Sequence, residues 1–385
     1  MQTILKGYIL RLYPTDEQRK LINKTIGCTR FVYNYFLDEK INDYKVTGKS
    51  KSCYGQIKEL PSLCKEYPWL SEVDSCSLRT SLFNLDDAYK RFFNKQNEFP
   101  RFKNKDIGNS YKTNNIKNSY KDKSYESIKI DFQNKIITLP KLKEVKFRGY
   151  RNKTNFIGNI KSAVIRRVAG RYYVSILVEE PLILPEFTPR SIVGLDLGIK
   201  DIITTSYNEK IENSLSSLEV KKRIKGLQKG LARCKSGSKN RYKIKLKLQR
   251  AYMKLKNIRK HLIHYVTNRL VKDNDIIVME DLDIKNMYQT HRVAKSLTNI
   301  PLAEIKQVLE YKCKWQNKKL LTINRYYPSS QTCSVCGYQN KEVKDLNIRR
   351  WECPKCSSLH DRDINASVNI MFEGLKMYMQ SLVLK

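Results

Sequence analysis

A chain of 385 residues is long enough for two or three units, each with a substantial core. Its net charge of +36 repels itself until a polyanion neutralises it, and nucleic acid is the polyanion such a field fits best. A membrane reading is disfavoured: no apolar run approaches the roughly 18 residues that a spanning helix needs, and MQTILKGYILRLYPTDEQ places Arg11 and then acids where an export signal has its apolar core. Six cysteines (Cys28, Cys53, Cys64, Cys76, Cys234, Cys313) follow no spacing pattern and read as reduced core residues of a cytoplasmic, nucleoid-associated protein.

In chain order, residues 4–13 (ILKGYILRLY) read as a strand that Pro14 stops. Thr15 and Gln18 form a capping box, after which Leu21, Ile22, Thr25, Phe31, Val32, Tyr35 and Phe36 recur at helical spacing. A second helical pattern carries Leu78, Leu82, Leu85, Ala88, Tyr89, Phe92 and Phe93. The stretch between them, 38–66, is polar and lysine-rich, so 14–95 reads as a helical lobe inserted after one strand. FPRFKNK (99–105) opens a polar, basic stretch. Beyond it, IKIDF and KIITLP flank Gln133-Asn134, and SAVIRRV and RYYVSILVEE flank Ala169-Gly170, as two hairpins. Residues 96–185 are therefore expected to form a small antiparallel barrel or sandwich that residues 1–13 join. Arg148, Arg151, Lys153, Arg166, Arg167 and Arg171 would make one face basic, suited to a nucleic-acid backbone.

PLILPEFTPR (181–190) is proline-rich and reads as the linker to a second regime. SIVGLDLGIKDIITTSY gives two strands around a turn at Gly198. From Glu219 to Lys272 there are nineteen Lys or Arg against one acid, broken at Ser236–Ser238, which predicts a helical hairpin. Its seam is a heptad of Leu248, Leu255 and Leu262 alternating with Ala251, Ile258 and Tyr265, and its other faces are cationic. His261 and His264 read as structural or phosphate-facing. Ile276–Met279 is apolar on both pleat faces, as a central strand covered on both sides requires. IPLAEIKQVLEYKCKWQ is then a helix and LLTINRYY a strand.

Two clusters carry chemistry. Cys333/Cys336 and Cys353/Cys356 are CxxC pairs, and four thiolates at that spacing make a closed tetrahedral zinc site with a structural role. Residues 327–360 form this knuckle, with His360 either backing the thiolates or facing nucleic acid. The second cluster is acidic. Asp196 lies in an apolar strand, Glu280 ends another, and Asp363 opens an amphipathic helix for which Asp361 is the expected N-cap; Asp281 or Asp283 is an alternative to Glu280. Three such carboxylates can hold two hard divalent ions about 4 Å apart, magnesium first and manganese as a substitute, the arrangement that hydrolyses phosphodiesters. Strand-Asp, long insertion, strand-Glu, knuckle and helix-Asp is the order of an RNase H-like nuclease of the RuvC type.

YPSSQTCSVCGYQN, RRWECPKC, HDRDINASVNI, IVGLDLGIKDIITTS and VMEDLDIKNM, with the N-terminal YILRLYPTDEQRKLINKTIGCTRFVYNYFL and FPRFKNK, resemble the blocks of the TnpB (OrfB) proteins of small bacterial insertion sequences. The resemblance implies an RNA-guided DNA endonuclease related to the type V CRISPR effectors. It implies a multidomain α/β architecture: a RuvC nuclease domain over 186–326 and 361–385 with its basic hairpin at 219–272, an inserted zinc knuckle at 327–360, a wedge β-barrel at 1–13 and 96–185, and a helical recognition lobe at 14–95. The lobe and barrel would bind a transposon-end guide RNA and read a short motif beside the target, and the RuvC domain would cut both strands of double-stranded DNA, handling single-stranded DNA on the way. Asp196, Glu280 and Asp363 match the catalytic positions, and Cys333, Cys336, Cys353 and Cys356 the zinc ligands. Ser357 departs from the usual glycine, and with Lys385 coming soon after the third acid any flexible C-terminal tail is expected to be short. A nuclease-inactive RNA-guided repressor, a transposase acting without RNA and a miniature type V effector are the rival readings, and the oligomeric state is open.

Overall fold

A computed structural model describes residues 2–105, 108–120, 123–149, 156–198, 201–212, 218–281, 302–345 and 347–383, with backbone alone at 117–120 and 123–125. The chain forms two compact units, Met1–Leu182 and Ile183–Lys385, divided within the proline-rich linker. Arg151, Lys153 and Asp283 lie outside the described residues.

The first unit is built on β1 (Thr3–Tyr13), which sits inside a seven-stranded antiparallel sheet, flanked on one side by β2 (Ser110–Asn114), β8 (Asn159–Val168) and β9 (Arg171–Pro181) and on the other by β7 (Lys143–Arg148), β6 (Ile136–Leu139) and β5 (Lys129–Asp131). The strands β3 (Lys117–Tyr120) and β4 (Lys123–Glu126) form a separate ribbon. β1 pairs with β9 from Thr3↔Pro181 to Leu12↔Tyr172, so one face of both strands turns inward together. Leu10, Leu12, Phe147, Ile165, Val174 and Ile176 fill that face. Between β8 and β9 both turn residues, Ala169 (φ 51°) and Gly170 (φ 71°), are left-handed, the geometry that matches the twist of a hairpin. Arg11 and Arg148 both stack over the Tyr13 ring, at 4.8 and 5.2 Å, so part of the basic face is held by aromatic contact.

Helix α1 (Asp16–Thr47) starts at the capping box: the Gln18 amide donates to Thr15 Oγ1 at 3.3 Å and the Thr15 amide to Gln18 Oε1 at 3.0 Å. It ends where Gly48 turns left-handed. The lysine-rich stretch is itself helical, as the end of α1 and as α2 (Cys53–Glu66), because a narrow stripe of Cys53, Gln56, Leu60 and Leu63 is enough to bury one face while the charges stay outside. With α3 (Ser75–Phe93) these helices enclose Val32, Phe36, Leu37, Leu70, Leu82 and Leu85. Tyr35, expected in that stripe, is 38% exposed. Earlier along α1, Ile22 and Ile26 belong instead to the core of the sheet.

The second unit is a five-stranded sheet in the order β12 (Lys210–Glu212), β11 (Asp201–Thr205), β10 (Ile192–Asp196), β13 (Ile276–Glu280), β14 (Lys319–Ile323). β10, β13 and β14 run parallel, and β11 runs against β10. β13 is covered on both faces, as its unbroken apolar run requires. Ile277 and Met279 meet α5 (Lys239–Asp273) and α6 (Leu302–Trp315), while Ile276 and Val278 meet α7 (Arg362–Val383). The basic stretch is a hairpin of α4 (Leu218–Ala232) and α5, joined along Val220, Ile224, Leu248, Ala251, Leu255 and Ile258. Tyr265 leaves the expected seam and is 59% exposed, because from Ile263 onward α5 turns its apolar face to the sheet through Ile263, Val266 and Leu270. Among the described residues no helix is long and apolar enough to cross a membrane.

Between α5 and α6 lies a buried ammonium. Lys312 Nζ donates to Thr267 Oγ1 at 2.6 Å and to the His264 carbonyl at 3.1 Å, and burial pulls its pKa down to about 8. Folding therefore favours the neutral amine, and stability rises with pH between about 8 and the unfolded value. Lys312→Met is expected to stabilise the protein by about 2 kcal/mol at pH 7, with a smaller gain at pH 9.5. Urea unfolding at the two pH values measures the difference.

Candidate functional site

The site forms at the C-terminal edge of the parallel strands. The register Leu195↔Met279 makes Asp196 and Glu280 neighbours on adjacent strand ends. Asp363 arrives from the opposite side, in the first turn of α7. What lets it arrive is the absence of side chains: a Cβ on Gly194 would lie 2.0 Å from the Ser367 carbonyl oxygen, and one on Gly374 would lie 2.3 Å from Val278 Cγ1. Backbone thus lies on backbone at Gly194, with Ala366 and Ser367 completing the contact as buried small residues on α7.

Burial, reinforced by the negative charges of Glu280 and Asp363, pushes the Asp196 carboxyl up to about 7. Burial raises Glu280 as well, against the hydrogen bond that Ser329 Oγ donates to its Oε1. Asp363 is flanked by cations, Arg349 Nη1 at 3.4 Å and Lys210 Nζ at 4.0 Å. Asp361 caps α7: its Oδ1 accepts from the amides of Asp363 and Ile364, each at 3.2 Å. Burial opposes its ionisation, but Lys210 at 2.7 Å and those amides hold its pKa below the ordinary carboxylate range. The neighbour Asp281 is committed elsewhere, to Lys306 at 2.7 Å and Arg325 at 3.0 Å, and these bonds hold it low.

Several residues that support the acids gave no motif signal. Asn365 and Asn369, one turn apart on α7, both donate to the Thr332 carbonyl, at 2.7 and 2.6 Å, and Asn369 also reaches the Ser329 carbonyl at 2.8 Å. Asn365 Oδ1 in turn accepts from the Ser334 amide at 2.9 Å. Arg362, between the two acids of DRD, is buried and donates to the Asp345 carbonyl at 2.6 Å. The only advance sign of these roles is a run of polar residues on the inward side of an amphipathic helix.

The segment so clamped holds the four cysteines. Their sulfurs all lie within 4.8 Å of one another, a separation that suits one tetrahedral ion bound by four thiolates. The two halves repeat one turn: the Gly337 amide donates to the Cys333 carbonyl at 2.9 Å and the Ser357 amide to the Cys353 carbonyl at 2.8 Å. Ser357 keeps the left-handed conformation of its counterpart Gly337 (φ 55° against 75°), a strain of about 1 kcal/mol. His360 is buried, with Nε2 3.1 Å from Cys333 Sγ and its ring 4.7 Å from that of Trp351, so it backs the thiolates and does not face outward. His264 lies against Tyr311, with Nδ1 3.5 Å from the hydroxyl.

Gly194→Ala tests whether close packing places the third acid. A displaced or partly unfolded α7 is expected, seen as lost protection in hydrogen exchange over 362–374 and a stability loss of at least about 2 kcal/mol. Unchanged protection there would show that Gly194 does not set the helix position.

The Cas12f1-like TNB domain profile matches residues 303–370, a profile described as a probable transposase of the OrfB/IS605 type matches 175–291, and the OrfB/IS605 helix-turn-helix profile matches 1–49, which here are β1 and one long helix. A Streptomyces pristinaespiralis protein is 32% identical over 97% of this chain and 90% of its own length. InsQ of Escherichia coli K12 is 30% identical over 96% and 92%. Both are provisionally named RNA-guided DNA endonucleases. The solved structure of the mini-RNA-guided endonuclease CRISPR-Cas_phi3 shares the fold, with a TM-score of 0.52 at 12% identity, covering 95% of this chain and 92% of that one. The chain belongs to the TnpB (OrfB) family.

Proposed function

We propose that this protein is an RNA-guided DNA endonuclease that hydrolyses phosphodiesters in an RNase H-like domain of the RuvC type. The observation that carries the reading is the convergence of Asp196, Glu280 and Asp363 from two parallel strand ends and a helix start onto one edge of the sheet. The domain comprises 186–326 and 361–385, with the knuckle of 327–360 between its last strand and last helix. In the first unit, the wedge of 1–13 and 96–185 and the lobe of 14–95 are assigned to the transposon-end guide RNA and to the short motif beside the target. Base pairing then supplies sequence specificity, and the protein needs cationic surface more than base-reading side chains. The reading implies work in the bacterial cytoplasm at the nucleoid.

The acids fit hard divalent ions: the donors are all carboxylate oxygen, they are partly buried, and they repel one another until a cation joins them. Magnesium, or manganese in its place, would supply a polarised phosphate and an activated water there. The chain's own residues prepare the site. Ser329 fixes Glu280, Asp361 fixes the start of α7, and Lys210 and Arg349 set positive charge beside Asp363 where a strand's phosphates would pass. The four thiolates suit zinc, whose role would be to hold the knuckle folded.

Purified protein is expected to carry RNA and, with Mg²⁺, to cut a plasmid bearing the matching target. Asp196→Asn should lower cutting at least about 1,000-fold while leaving RNA binding intact. Because burial disfavours ionised Asp196 without metal, the same variant should melt higher than the parent at pH 8, the difference shrinking as the pH falls below about 7 and vanishing only near pH 4, and divalent affinity should rise with pH through about 7. Cutting without RNA would favour the transposase reading, and RNA-dependent binding without cutting the repressor. The displaced strand is expected to be cut first, and strand-specific end labelling that found the target strand always first would reverse that order.

A further inference from the structure

The edge of the sheet is tied to a helix on each of its faces by two neighbouring residues. Glu209, just before β12, pairs with Arg269 of α5, and Lys210, the first residue of β12, pairs with Asp361 at the start of α7. Successive side chains of an extended chain point to opposite faces, and α5 and α7 lie on opposite faces of this sheet. The turn behind the pair is tight. Asn208 is left-handed (φ 66°), the Thr205 amide donates to the Glu209 carbonyl at 2.9 Å, and the Glu209 amide donates to Thr205 Oγ1 at 3.2 Å. The Lys210 ammonium therefore projects from a fixed base.

Its Nζ donates to both oxygens of Asp361, at 2.8 and 2.7 Å, and Asp361 Oδ1 accepts from the amides of Asp363 and Ile364. The same Nζ stands 4.0 Å from Asp363 Oδ2, beyond hydrogen-bonding distance. An uncommitted ammonium so near an acidic edge would close on Asp363 and take up the lone pairs a metal needs. Asp361 prevents that by holding the cation itself. The side chains of Lys210 and Asp361 are 31% and 26% exposed, so solvent and salt screen the pair less than an ordinary surface bridge.

We infer that Lys210 is a positioning residue for phosphodiester cleavage, an inference that rests on the nuclease reading of the same edge. Anchored by Glu209 and Arg269, it fixes Asp361, and through the helix cap it sets where the Asp363 carboxylate stands. The two acids of DRD are thus unlike halves of one arrangement: the first takes the ammonium so that the second stays open. Partners behind a metal ligand are typically worth about 10- to 100-fold in metal affinity or activity, whereas a partly exposed ion pair adds little to stability. A large effect on metal binding and cutting with a small effect on melting is the expected signature.

The full chain with its bound RNA is used for the test, comparing the parent with Lys210→Met, Lys210→Arg, Asp361→Asn and the double variant. Lys210→Met is expected to weaken Mn²⁺ binding, read by electron paramagnetic resonance, and to slow single-turnover cutting, each about 10- to 100-fold. Target binding and melting temperature should stay near the parent's, and Lys210→Arg should restore most of the loss. Asparagine still caps a helix, so Asp361→Asn removes the ion pair and keeps the cap. Because it also frees Lys210 to close on Asp363, adding Lys210→Met should slow cutting no further. Parent-like Mn²⁺ binding in Lys210→Met, a double variant slowed by the product of the single effects, or lost target binding with Mn²⁺ affinity intact would overturn the inference. A parent that neither binds Mn²⁺ nor cuts would remove the nuclease reading and this inference with it, whereas a cutting parent matched by Lys210→Met removes this inference alone.

Discussion

Contact between α7 and the sheet at Gly194 and Gly374 is the constraint on which the second unit turns. Two carboxylates at neighbouring strand ends already repel, and bringing a third to them costs more; the apolar packing of Ile276, Val278, Ile370 and Tyr378 holds the helix against that repulsion. The fold thus stores electrostatic strain at one edge and stabilises it from the middle of the sheet. On the reading proposed above, a divalent cation would relieve what packing alone only restrains. Ser329, Asp361 and Lys210 limit how far the acids can move apart.

Asn365 and Asn369 extend the same helix's influence outward. By binding the carbonyls of Thr332 and Ser329 they fix the strand of chain that enters the knuckle, and the serine that binds Glu280 lies on that strand. Thiolate cluster and acidic edge are therefore mechanically joined through α7. Loss of order in the knuckle would loosen Glu280 as well as Asp363, although neither acid touches a cysteine.

What was legible in the sequence was what is local. The capping box of Thr15 and Gln18, the two hairpin turns and the paired CxxC motifs each fix their geometry within a few residues. Asp196 alone, in GLDLGIK, reads more readily as a turn or capping residue, and only the order of the acids along the chain marked it; the structure sets it beside Glu280 on adjacent strand ends. The full length of α1 and the whole of α2 were not, since their stripe is too narrow to stand out from the lysines around it. Tyr265 was misread because one helix serves two partners and changes its buried face between them. Asn365, Asn369 and Arg362 act on carbonyls 17 to 40 residues away, and no local pattern announces such bonds. Asp281 and Glu280 are adjacent and chemically alike; what separates their surroundings is Lys306 and Arg325, which the chain order does not place.

Helix α1 has one more consequence. Ile22 and Ile26 are part of the sheet's core and Val32, Phe36 and Leu37 part of the helical core, with no break in the helix between them. A single rod of 32 residues, about 48 Å long, is thus shared property of two hydrophobic cores. Neither core can melt without stripping one side of the rod, so the first unit should unfold as one cooperative block and behave as one rigid body under load. Whatever seats itself on the helices is felt, through that rod, by the sheet.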